Sequence, residues 1–235
     1  MGPTRRIQAV LFDAAGTLIG LAEPVGTTYA RLARRHGVEL PTARLDEAFA
    51  RVLAAAPPNV HRDVPLAEAA ERERSWWRTR VRETFRAADG MARFDDFESC
   101  FESLWRHYAE PDAWRVLPGA REGLEALAAL GLRLGVLSNF DQRLHGVLAG
   151  LGLDAYFDAI VLPADAGAAK PEPAIFLAAL SRLGVVAGRA LYVGDRADED
   201  VAGATRAGLL ALDVATLPDL AALPKALERL EEELR

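Results

Sequence analysis

A chain of 235 residues with 51% hydrophobic and 26% charged side chains suits one large domain or a core carrying an insert, and excludes intrinsic disorder. Its formal net charge of −6 opposes non-specific attachment to phosphate backbones or anionic lipid, so no nucleic acid and no membrane is an expected partner. Cys100 is the single cysteine, which excludes an intramolecular disulfide and a CxxC zinc cluster and favours a reducing compartment.

The first apolar run, Ile7 to Phe12, is interrupted by Gln8 and followed by Asp13, unlike the longer apolar stretch of a secretory signal. With no membrane-length segment elsewhere, the expected location is cytoplasmic. Continuous apolar runs of this length predict buried parallel strands. From Leu21 to about Ala113 the apolar residues recur instead at helical spacing, as in Trp77, Val81 and Phe85, and again in Phe94, Phe97, Phe101, Leu104, Trp105 and Tyr108. Turn signals at His36-Gly37, Pro57-Pro58 and Asp89-Gly90 break the stretch, so residues 21–113 are expected to form an all-helical insert with its aromatic stripes packed between helices. Four further apolar runs follow: Leu132 to Leu137, Ala159 to Leu162, Ala190 to Val193 and Leu209 to Leu212. Helix-length segments separate them. This alternation predicts an α/β fold, a doubly wound parallel sheet built from residues 1–20 and 114–235. Lys225 to Arg235 is expected to be a short charged helix with a solvated face.

In an open parallel sheet, ligands bind beyond the carboxyl ends of the strands. The residues there are Asp13-Ala14-Ala15-Gly16-Thr17, Ser138-Asn139, Lys170-Pro171-Glu172-Pro173, and Gly194-Asp195 with Asp200 beyond. Each alone fits a turn or helix cap. Together and in this order, LFDAAGTL, GVLSNFD, KPEPAIF and YVGDRADEDVAGA resemble the four motifs of the haloacid dehalogenase-like hydrolase superfamily. The helical insert between the first two is similar to that superfamily's C1 cap. Trp114 to Asp213 resembles its subfamily IA, including the rhythmically-expressed-gene-2-like branch. The resemblance implies a Rossmann-like core and a small phosphorylated substrate attacked by Asp13. It implies Mg2+ held by Asp13, the Ala15 backbone carbonyl and Asp195, with Asp200 acting directly or through water. Ser138, the Asn139 backbone amide and Lys170 would hold the phosphoryl oxygens, and Thr17 would brace the first loop. Pro171 is expected to start the helix after Lys170.

Charge supports a metal independently of the family. Asp13, Asp195 and Asp200 against Lys170 leave a net of −2, which repels a phosphate until a dication neutralises it. One position departs from the pattern. Phosphatases of the superfamily carry DxD, whose second carboxylate serves as general acid and base, and Ala15 stands there in this chain. Three outcomes stay open: a metal-dependent phosphatase favouring acidic leaving groups, a 2-haloacid dehalogenase, and a catalytically impaired binding protein. DAAGTL resembles the dehalogenase motif apart from Ala15 in place of Tyr, but the acids at Asp195 and Asp200 oppose a carboxylate substrate. Phosphonoacetaldehyde hydrolases also carry Ala there, but their chemistry needs a cap lysine. Lysine occurs in this chain only at Lys170 and Lys225, and arginine does not replace a Schiff-base amine. His36, His61, His107 and His145 lack metal-ligand spacing. Arg34, Arg35 and Arg78 read first as a solvated helix face, and Asp141 as a turn or cap residue.

Overall fold

The computed structural model describes residues 6–62 and 64–233. Met1 to Arg5, Asp63, Leu234 and Arg235, which the expected domains and tail helix include, lie outside the described residues. In chain order the elements are β1 (Ala9–Phe12), β2 (Ile19–Leu21), α1 (Val25–Arg34), α2 (Thr42–Ala54), α3 (Leu66–Ala88), α4 (Phe97–His107), β3 (Trp114–Val116) and α5 (Ala120–Ala129). They continue with β4 (Arg133–Leu137), α6 (Arg143–Gly150), β5 (Ala159–Val161), α7 (Pro163–Ala166), α8 (Pro173–Leu183), β6 (Ala190–Gly194), α9 (Ala202–Arg206), β7 (Leu210–Asp213) and α10 (Leu223–Glu233). None of the described helices is long and apolar enough to cross a membrane. The chain divides into two compact units, one made of the described residues of Met1–Gly20, Val60–Asp63 and Val116–Arg235, the other of Leu21–Asn59 and Val64–Arg115.

The first unit is built on a five-stranded sheet in the order β5-β4-β1-β6-β7, with every pairing parallel. β1 is central, and Val10 aligns with Leu134 on one side and Leu191 on the other. All four residues of β1 are buried, as a strand covered on both faces requires. Ala9 and Leu11 share one core with Ile175, Phe176, Ala179 and Leu183 of α8, while Val10 and Phe12 are one residue out of phase and point to the opposite face. The chain proceeds from β1 through β4 to β5, then returns to the other side of β1 for β6 and β7. The carboxyl ends of β1 and β6 therefore flank the switch point where such sheets bind ligands.

Three local features differ from expectation. β2 and β3 pair as a two-stranded ribbon where no strand is predicted, tied by Leu117 N–H to the Leu18 carbonyl at 2.9 Å and Ala22 N–H to the Ala113 carbonyl at 2.9 Å. α8 begins at Pro173 rather than Pro171, whose peptide bond with Lys170 is cis. α10 buries Leu223 and Leu227, and its Glu231 Oε1 accepts from Ile7 N–H at 2.9 Å, so the tail has a packed face besides its charged one. Within the first unit, Arg62 Nη2 lies 2.6 Å from Glu172 Oε2.

The second unit consists of α1 to α4 around a core of Tyr29, Leu32, Ala33, Leu45, Val81, Phe85, Phe101 and Leu104. Both predicted aromatic stripes enter this packing, with Trp77, Phe94, Phe97, Trp105 and Tyr108 half-buried against it. Phe85 and Phe94 meet edge-to-face at 4.7 Å. Cys100 lies inside the same core, and burial pushes its thiol up to about 12, which removes it as a nucleophile. Arg78 is paired bidentately with Glu98 at 2.5 and 2.6 Å, as a solvated face would have it.

Candidate active site

Each predicted residue group follows a sheet strand, and the sheet register brings the groups together. β1 ends at Phe12, so Asp13 leaves the strand at its carboxyl edge, where its N–H still donates to the Val193 carbonyl of β6 at 2.9 Å. β6 ends at Gly194, beside which Asp195 stands exposed. A π-helical turn at Ala197–Val201 then carries Asp200 back under the strand end, fully buried. Such turns add a residue to the helical repeat and recur at functional sites.

Lys170 links these acids. Its Nζ donates to Asp13 Oδ1 at 2.6 Å, Asp200 Oδ1 at 2.6 Å and the Tyr192 hydroxyl at 2.9 Å, which uses all three ammonium hydrogens. Tyr192 Oη in turn sits 2.9 Å from the Leu137 carbonyl and 3.0 Å from Asp200 Oδ1. Asp200 Oδ2 accepts from Arg196 N–H at 3.0 Å. No donor of the ammonium is wasted, as burial at 4% exposure demands.

Burial raises the Asp13 carboxyl and Asp200 adds to the shift, while Lys170 opposes it. Burial alone would lower Lys170, but Asp13 and Asp200 outweigh it and the ammonium is held above its ordinary value. Burial, together with Asp13 and Asp200, raises Asp195. Burial and the same two carboxylates push Tyr192 well up, so its hydroxyl keeps its proton and is a neutral partner to the pair. A protonated, buried amine is a poor nucleophile, whereas Lys225 is exposed on α10. Reductive methylation of the folded protein is expected to modify Lys225 and spare Lys170, read by peptide mass spectrometry. Equal labelling of the two lysines would contradict the buried pairing.

Two glycines make room for the acids. Gly16 has φ of +104°, and a Cβ there would lie 2.4 Å from Asp195 Oδ2. A Cβ on Gly194 would lie 2.4 Å from the Asp200 carboxyl carbon. Within this space, one carboxylate oxygen from each of Asp13, Asp195 and Asp200 falls within 4.8 Å of the others. Two of these acids are buried and one is open, so the donor set is all oxygen and reachable from outside, the chemistry of a hard cation.

The remaining predicted residues are placed unevenly. Ser138 is buried at 3% exposure, and its Oγ accepts a long 3.4 Å bond from Phe140 N–H. Asn139 follows it, half-buried. Ala15 is exposed, two residues beyond Asp13. Thr17, expected to brace the first loop, is 1% exposed and its hydroxyl has no hydrogen-bond partner among the described residues, while its backbone N–H donates to the Ala14 carbonyl at 3.3 Å. The loop is braced by its backbone instead, with Leu18 and Ile19 N–H both donating to the Ala14 carbonyl at 2.8 and 2.9 Å. Asp141 takes the expected turn role, its Oδ1 accepting from Arg143 N–H at 3.1 Å while the Arg143 side chain pairs with it. Tyr192 was hidden from sequence reasoning because it lies in the apolar run of β6, where an aromatic ring reads as core. The one available signal is its hydroxyl, which needs a partner when buried.

The parallel sheet thus sets a carboxylate after its central strand, a buried lysine and a pair of acids at the neighbouring strand end into one acid-rich cluster. The sequence model of haloacid dehalogenase-like hydrolases matches residues 7–208, and the chain belongs to that family. Human haloacid dehalogenase-like hydrolase domain-containing protein 3 is 35% identical over 207 residues, covering 87% of this chain and 80% of its own. Ribulose-1,5-bisphosphate 5-phosphatase of Halopiger xanaduensis is 31% identical over 202 residues, covering 86% of this chain and 82% of its own. The crystal structure of a HAD phosphatase from Thermococcus onnurineus superposes with a TM-score of 0.62 at 29% identity, covering 94% of this chain and 98% of that one.

Proposed function

We propose that this chain is a Mg2+-dependent hydrolase of small phosphorylated molecules in which Asp13 is the nucleophile. The carrying observation is the buried Lys170 ammonium between Asp13 and Asp200, with Asp195 completing an oxygen cluster inside 4.8 Å. Asp13, Asp195 and the Ala15 carbonyl would hold the cation, with Asp200 acting directly or through water, and its charge would offset the net −2 of the site and polarise the phosphoryl group. Relatives named as phosphatases support the choice of phosphorus over carbon as the electrophile.

Asp13 attacks phosphorus through a carboxylate oxygen, the bond from phosphorus to the substrate oxygen breaks, and an aspartyl-phosphate forms. Lys170 keeps the carboxylate oriented and, with Ser138 and the Asn139 backbone N–H, balances charge on the phosphoryl oxygens. Water then attacks the acyl phosphate, releasing phosphate and restoring Asp13. With Ala15 at the position of the second carboxylate, the leaving oxygen takes its proton from water. Substrates with acidic leaving groups are accordingly the better ones.

A panel of phosphorylated metabolites and haloacids, assayed with Mg2+ and with chelator, tests this assignment. Wild type is expected to release phosphate only with Mg2+, and Asp13→Asn to release none. Halide release indifferent to chelator, or unchanged turnover by Asp13→Asn, would overturn it.

A further inference from the structure

We infer that Asn139 is a positioning residue whose side-chain carboxamide locks the Lys170 loop to the acidic turn that carries Asp200, with Glu199 as its second anchor. The backbone of Lys170 lies in the turn between α7 and α8, outside helix and sheet, so its peptide groups need partners from elsewhere. Asn139 supplies both: Lys170 N–H donates to Oδ1 at 2.8 Å, and Nδ2 donates to the Lys170 carbonyl at 3.0 Å. The second hydrogen of Nδ2 reaches Glu199 Oε2 at 3.2 Å. Glu199 is itself held from the other side, with Arg196 Nη2 3.0 Å from Oε1. One amide thus joins the loop after β4, the turn before α8 and the π-helical turn after β6.

The residue types are constrained by this geometry. Two donors and an acceptor on one short side chain are needed, which Asn has, Asp lacks on the donor side and Leu lacks altogether. Because the Lys170 ammonium bridges Asp13 and Asp200, a displaced Lys170 backbone moves the cation relative to both carboxylates. Glu199 ties the clamp to the same turn as Asp200, so the lysine and its acid partner are fixed by one network rather than by two independent loops. The side chain therefore has work distinct from that of its backbone N–H.

This assignment builds on the role proposed for Lys170, and its first test does not depend on that role. The chain has only two lysines, so 15N-lysine labelling gives two backbone amide signals, Lys170 and Lys225. In Asn139→Leu, hydrogen exchange at the Lys170 amide is expected to accelerate about tenfold, the scale of one lost hydrogen bond, with Lys225 unchanged. In Asn139→Asp, kcat on p-nitrophenyl phosphate with Mg2+ is expected to fall about 100-fold, with KM moving less, since a small misplacement of a charged group is that costly. Adding Glu199→Gln to Asn139→Asp lets the new amide donate to the new carboxylate and is expected to restore about tenfold of the loss. Unaltered exchange in Asn139→Leu would overturn the clamp, and absence of recovery in the double variant would overturn the part given to Glu199. Should wild type fail to hydrolyse p-nitrophenyl phosphate, the phosphatase assignment falls and the exchange measurement still decides the clamp.

Discussion

Asp in place of Ala15 is expected to raise turnover of alkyl phosphates by about 10² to 10⁴, with a far smaller change on aryl and acyl phosphates. An alkoxide leaves poorly without a proton, whereas an aryl oxide or carboxylate leaves unaided, so a restored acid helps the first class selectively. The position accepts the change sterically. Ala15 is exposed, and the loop around it is held by backbone bonds from Gly16 N–H to the Ile19 carbonyl at 2.8 Å and from Leu18 and Ile19 to Ala14. The new carboxyl would stand two residues from Asp13, and like charge near a carboxyl raises its pKa toward the range a general acid needs. The measurement is kcat/KM across phosphate esters graded by leaving-group pKa. Wild type should show a steep dependence and Ala15→Asp a shallow one. If the ratio of alkyl to aryl rates is unchanged, the missing acid is not what limits this enzyme.

The sheet was legible because buried parallel strands are apolar on both faces. Ala9–Phe12, Arg133–Leu137, Ala159–Val161, Ala190–Gly194 and Leu210–Asp213 each lie within about a residue or two of the predicted runs. β2 and β3 were not legible, because three residues carry no period and Ile19–Leu21 reads as the end of the preceding motif. The helical unit showed itself through its turn signals and aromatic spacing, and α1 to α4 are separated at the three predicted breaks. Pro171 misled because a proline after a motif lysine suggests a first helical turn, whereas Pro173 occupies that position and Glu172 precedes the helix.

Within the site, the charged residues could be read and the neutral ones could not. Asp13, Lys170 and Asp200 stand out as ionisable groups at strand ends, and they do converge. Tyr192 and the Asn139 carboxamide carry no charge, and they lie 22 and 31 residues away from their partner Lys170 in sequence, so no local pattern announces them. Thr17 shows the converse. A polar residue in a motif loop suggests a contact, yet the loop satisfies itself through its backbone and leaves the hydroxyl sealed beneath it.

Lys170→Met is expected to lower kcat about 10² to 10³ and to destabilise the fold by about 3 to 5 kcal/mol at neutral pH in the presence of chelator. Methionine matches the length of the stem but leaves Asp13 and Asp200 buried without their cation. The pH dependence follows from the direction of each shift. Lys170 is raised in the folded state, so the stability it contributes is fully present below its ordinary 10.5 and is lost only as pH climbs through the folded value. In the variant, Asp13 loses the one charge that opposed its burial, and its pKa rises further. A carboxyl raised in this way favours the fold below its unfolded value of 3.8 and costs stability as pH rises through the folded value. The deficit of Lys170→Met relative to wild type should therefore be small near pH 4 and widen toward pH 8, read by urea denaturation at both ends. A deficit of equal size at the two pH values would mean that methionine fails by packing alone, and that the ammonium does not hold Asp13 in its charged form.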